Sequence, residues 1–123
     1  MVIRCVVGCL IALTCTFWAA APASAEISLR AYRALTAVSR SESMKSYVIG
    51  LGRGVVYAFG FAAQKNGVKL FCPPGKMNFD GDIIASLLDQ EIREPASGVP
   101  WEDDAHIELI MVYAFLDRFP CKK

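Results

Sequence analysis

The stretch from Ser46 to Ala63, SYVIGLGRGVVYAFGFAA, constrains this chain more than any other. It is the most apolar run after Ala25, and it is broken by Gly50, Gly54 and Gly60. Tyr47, Gly50, Gly54, Tyr57 and Phe61 step by 3, 4, 3 and 4 positions. On an α-helix they form one stripe. Gly50 and Gly54 make a small-xxx-small pair between two tyrosines, a shape that lets a second apolar helix approach the backbone. Each mid-helix glycine costs about 1 kcal/mol relative to alanine, so close packing is the expected compensation. The stripe is therefore a helix-packing face, within one chain or between two copies, and it carries no reaction.

Two other readings of the same run are weaker. Ser46 to Ala63 approaches the minimum length for a membrane span. Arg53, however, sits near the centre, where insertion costs about 2.5 to 3.5 kcal/mol. The expectation is a buried core helix with no membrane contact once the N-terminal leader is gone. Gly50-Leu51-Gly52-Arg53-Gly54 suggests a nucleotide-binding loop, but no strand precedes it and the spacing is not G-x-G-x-x-G.

The segment from Met1 to Ala25 reads as a secretory signal. Arg4 supplies the positive start, Val6 to Ala20 is uncharged and apolar, and Ala23-Ser24-Ala25 is an A-x-A cleavage site before Glu26. The expectation is export to the periplasm, with an uncleaved anchor as the alternative, leaving one domain over 26–123. Val6-Val7-Gly8-Cys9 lies too close to the start to serve as a lipidation signal. Arg4 is the leader's one charged residue, so positions 26–123 hold 12 basic and 12 acidic groups. That balance points away from nucleic acid and from an acidic membrane surface. Cys5, Cys9 and Cys15 leave with the leader; Cys72 and Cys121 remain. An even pair in an oxidising compartment reads as one disulfide.

Helical spacing recurs along the rest of the chain. Ile27, Ala31, Ala34, Leu35 and Val38 predict a first helix over 27–38 with Arg30 and Arg33 turned away. Ser39-Arg40-Ser41-Glu42 has capping-box form and opens the second helix, which ends at Asn66-Gly67. Val68 to Phe71 is an extended link into Cys72-Pro73-Pro74-Gly75. Asn78 or Asp80 caps a third helix whose Ile83, Ile84, Leu87, Leu88 and Ile92 face inward, and Pro95 stops it. Asp80, Asp82, Asp89 and Glu91 read as its charged outer face. Pro100 suits the first position of a fourth helix, with Glu102, Asp103 and Asp104 in its first turn. Trp101, Ala105, Leu109, Val112, Phe115, Leu116 and Phe119 supply its buried face. No stretch alternates well enough for a sheet, so the fold class is all-α: a small four-helix domain with one disulfide.

Tyr47-Val48-x-Gly50, then Cys72-Pro73, then Phe119-Pro120-Cys121 form a pattern that spans most of positions 26–123. It resembles the Rap/Tai family of periplasmic immunity proteins, which neutralise peptidoglycan amidase toxins delivered by type VI secretion. Relatives often carry further cysteines where this chain has Ser39, Ser41 and Met44, and a histidine–proline dipeptide where it has Glu94-Pro95. The resemblance implies a dimer that inhibits a cell-wall amidase by inserting a loop into its groove. It assigns no toxin-binding residue here.

An enzyme is not the expectation. His106 is the single histidine, with Asp103 three positions earlier. Both remaining cysteines are taken up by the disulfide, and His106 with scattered carboxylates is a poor metal set. No cofactor is implied. The alternative function is a generic periplasmic structural or small-ligand-binding protein, with Tyr47, Tyr57, Phe59 and Phe61 lining an apolar pocket.

Overall fold

The computed structural model describes residues 26–38 and 42–122. The leader and the Ser39–Ser41 part of the capping box lie outside the described residues. Four helices follow one another: α1 Leu29–Val38, α2 Glu42–Asn66, α3 Gly81–Arg93 and α4 Ile107–Arg118. The described residues contain no strand, only an isolated antiparallel bridge between Ser28 and His106. The all-α, four-helix reading holds.

α3 begins where its cap dictates. The Asp80 carboxylate accepts from the Asp82 and Ile83 amides, satisfying two N–H groups that lack helical partners. Asn78 plays no such part. α3 and α4 pack most extensively against each other, and α2 lies across both. The core is built from Ile84, Leu87 and Leu88 of α3, and from Ile107, Ile110, Met111, Ala114 and Phe115 of α4. α2 adds Met44, Val48 and Val55, and α1 adds Leu29 and Tyr32. Gly52 lets α2 approach α3 closely, since a Cβ there would run into the Ile84 side chain.

At one end, Phe71 packs against Phe59, Phe79, Phe115 and Phe119 with ring centroids 5.3, 6.0, 5.7 and 6.5 Å away. The Cys72–Cys121 disulfide closes this end, with Cα atoms 4.9 Å apart, and the Cys72 amide donates to the Phe119 carbonyl at 2.7 Å. The extended link therefore serves to carry Phe71 into the aromatic cluster and Cys72 to its partner.

Three expectations are corrected. α1 attaches through Leu29 and Tyr32, whereas Ala31, Ala34, Leu35 and Val38 are exposed. Burial of Leu29 and Tyr32 sets this rotation, and in it Arg30 and Arg33 reach Asp103, Arg33 at 2.6 Å. α4 starts at Ile107, well beyond Pro100. The backbone before it is diverted: the Ala105 and Asp103 carbonyls accept from the Leu29 and Arg30 amides, and the Ile107 amide donates to the Ile27 carbonyl. This pairing with the N-terminal segment takes the groups that a helical turn over 101–106 would use, and it leaves Leu109 half exposed. Finally, Glu91 is not on an outer face; it is buried, at 1 % exposure.

Candidate functional site

The α2 stripe divides in the structure. Gly50 and Gly54 have open space where a Cβ would stand, and Tyr57 and Phe61 are 76 % and 61 % exposed. The glycine used for packing within the chain is Gly52, two positions from each. α2 is thus no buried central helix: it has the length and composition to cross a membrane, yet only 17 % of that window is buried. Hydrophobic periodicity identifies residues that share a face but does not say which face meets the core, and here Met44, Val48, Gly52 and Val55 were chosen.

Tyr47 leaves the stripe and turns inward. Its hydroxyl donates to Glu108 Oε1, which also accepts from the Ile27 amide at 3.1 Å. One carboxylate on α4 thereby ties together α2 and the segment before α1. Burial, followed by the hydrogen bond to Glu108, pushes the Tyr47 phenol up to about 12. Tyr57, Phe59 and Phe61 do not join Tyr47 in a common pocket: Phe59 belongs to the aromatic cluster, and the other two face solvent. His106 Nδ1 lies 3.5 Å from Glu26, while Asp103 is engaged by the two arginines.

The most constructed exposed feature is the turn that follows α3, Glu94 to Pro100, in the α3–α4 loop. Glu94 caps α3 through its amide, and the Arg118 guanidinium donates to the Glu94 carbonyl at 2.7 Å. Glu91 Oε1 accepts from the Ala96 amide at 3.3 Å, and Glu91 Oε2 lies 3.6 Å from Arg118. Gly98 closes a turn with its amide on the Pro95 carbonyl at 2.9 Å and a φ of 73°, a left-handed value that suits glycine. The Val99 amide donates to Ser97 Oγ at 3.2 Å. Pro95 and Pro100 restrict the backbone near its ends, and Val99 is 68 % exposed.

No family model, curated protein or solved structure matches the chain. The resemblance to the Rap/Tai proteins therefore rests on the short motifs alone. Of the residues those motifs and the stripe single out, Cys72 and Cys121 meet, Tyr47 is an inward-facing strut, and Gly50, Gly54 and Tyr57 form an open face. Sequence reasoning missed Glu91, Glu108 and Arg118 as the braces. Spacing held the signal for two of them: Glu91 falls in phase with Ile84 and Leu88, and Glu108 with Met111 and Phe115. An acidic residue on an apolar stripe marks a buried carboxylate with partners elsewhere.

Proposed function

We propose that this is a periplasmic immunity-like protein that works by docking onto a peptidoglycan amidase and blocking it. The observation that carries this reading is the turn from Glu94 to Pro100. Braced by Glu91 and Arg118, it is a hydrogen-bonded turn that exposes the apolar Val99. A braced turn enters a groove with little further loss of conformational freedom, which is what inhibition by insertion requires. The disulfide accords with an oxidising compartment, and the leader-like segment up to Ala25 supplies the route there. The motif resemblance adds the class of partner.

The test is to mix the protein with a cell-wall amidase encoded beside it and follow peptidoglycan hydrolysis. Inhibition is expected, and Val99→Asp should weaken it by roughly tenfold or more, the scale of a lost apolar anchor. Full hydrolysis in the presence of excess protein would reject the reading.

In the same proposal the open α2 stripe pairs two copies of the chain. Its first half is small (Ser46, Gly50) and its second half aromatic (Tyr57, Phe61). An antiparallel pair would seat rings against small residues and bring the Glu42 end of one helix toward the Lys65 end of the other. Light scattering on the eluted protein decides between dimer and monomer.

A second reading, a helical protein that takes a small ligand and has no toxin partner, is favoured by a cleft of about 350 Å³ where α1, α2 and α3 meet. Met44 and Val48 lie among its lining, with Lys45, Asp82, Asp89 and Arg93 as charged members. Copurification of a small molecule with a monomer would support it.

A further inference from the structure

We propose that the end of the molecule closed by the disulfide docks on the surface of an anionic phospholipid bilayer. α2 and α4 run side by side in the same sense. Tyr47 meets Glu108 near their starts, and Phe59 and Phe119 both reach Phe71 near their ends. Basic and acidic groups balance over positions 26–123 but are unevenly placed along this axis. At the start lie Glu102, Asp103, Asp104 and Glu108, together with Glu26 beside His106. At the far end, the link from Gly67 to Cys72 and the tail from Pro120 to Lys122 meet at the disulfide. With the last turn of α2 they carry Lys65, Lys69 and Lys122, all exposed, and no acidic residue. Asp117, in the last turn of α4, is the acidic residue nearest in sequence, and Arg118 follows it. The loop leading to α3 adds Lys76 and one carboxylate, Asp80, which is engaged by two amides.

These lysines stand among exposed apolar residues. Val68 and Leu70 flank Lys69 and are 54 % and 43 % exposed, and Lys65 Nζ lies 5.8 Å from the ring centroid of Phe61. Among the described residues none of the three lysines forms an ion pair. A lysine lays its methylene stem along apolar surface while its head stays in water. Val68 and Leu70 can therefore enter the headgroup region while the ammonium groups meet lipid phosphates. The negative potential of an anionic leaflet attracts such a cluster, each lysine contributing about fivefold in affinity. An acidic protein surface is the competing occupant, and the composition favours lipid. Protein interfaces are enriched in arginine and depleted in lysine, and every charge on the link and the tail is a lysine. Val68, Lys69, Leu70 and Lys122 lie past the end of α2, so pairing of two copies through the Gly50–Gly54 face does not use them. The inference does not rest on the toxin reading.

The test is cosedimentation with vesicles of the chain from Glu26 onward, which contains all four helices, the core and the disulfide. One set of vesicles holds phosphatidylcholine and phosphatidylglycerol at about two to one, and the other phosphatidylcholine alone. Binding to the anionic set should exceed binding to the neutral set by roughly tenfold or more, and added salt should reduce it. Lys69→Gln should weaken it by about fivefold. Lys45→Gln makes the same charge change near the start of α2 and should leave binding unaltered. Leu70→Ser should also cost roughly fivefold, the loss of one partly inserted side chain. All three positions are exposed, and circular dichroism shows that each variant keeps the fold. Equal binding to both sets of vesicles, or equal losses from Lys69→Gln and Lys45→Gln, would overturn the inference. So would binding to neither set, which leaves the lysine patch to an acidic protein surface.

Discussion

α2 and the α3–α4 pair answer the same physical demand in opposite ways. α3 and α4 are short, 13 and 12 residues, and bury their apolar residues against each other and under Phe71. α2 has 25 residues and the longest apolar run of the described residues, yet leaves Tyr57 and Phe61 in solvent. Apolar content alone therefore does not decide burial. What decides it is which stripe has a shape that fits its neighbour: on α2 the Gly52 side admits Ile84, and the Gly50–Gly54 side has nothing to admit among the described residues.

The strongest test of the contrast is Phe115→Ala, which removes a fully buried ring from the α3–α4 side and should cost about 3 to 5 kcal/mol in denaturant unfolding. Replacing Cys72 and Cys121 together by alanine opens a loop with a sequence separation of 49. The loop-entropy relation gives a loss of about 4 kcal/mol, read as a lowered denaturant midpoint that matches wild type under reducing conditions. A loss near zero would mean that the aromatic cluster holds this end without help.

The two glycine classes on α2 give opposite signs. Gly52→Ala should destabilise by about 1 to 3 kcal/mol, because Ile84 must move. Gly50→Ala, with open space above it, should instead stabilise a monomer by about 1 kcal/mol through helix propensity. If two copies pair through this stripe, the same change weakens the dimer, and light scattering and thermal unfolding then move in opposite directions. Equal effects at Gly50 and Gly52 would erase the distinction between the faces.

The smallest effect concerns pH. The Tyr47 phenol is raised to about 12 from its ordinary value of 10, so folding favours the protonated form. Its contribution is complete below pH 10 and is lost as pH rises toward 12. Wild type should lose stability in that window, and Tyr47→Phe should lose less of it, measured by denaturation at stepped pH.

Much of the architecture was legible in the residues themselves. Four helices, the end of α2 at Asn66-Gly67, the Asp80 cap, the stop at Pro95 and the pairing of Cys72 with Cys121 all follow from local chemistry. These are short-range matters of capping, backbone restriction and the count of cysteines. The site was less legible. Glu91 and Glu108 sit in phase with apolar residues, but only the positions of Arg118 and Tyr47 explain how their charges are accommodated.

What the sequence determined by itself was which residues travel together on each helix. Which of those faces meets the core, where α4 can begin, and whether a carboxylate is buried were decided by the tertiary structure. The reason is that a helix period fixes relative angles about one axis, while the rotation of that axis depends on neighbours. Asp103 meets α1 twice, its carboxylate on Arg33 and its carbonyl on the Arg30 amide, and so ties the segment before α4 to a distant helix. No window of sequence shorter than the separation of 70 between Arg33 and Asp103 contains both partners.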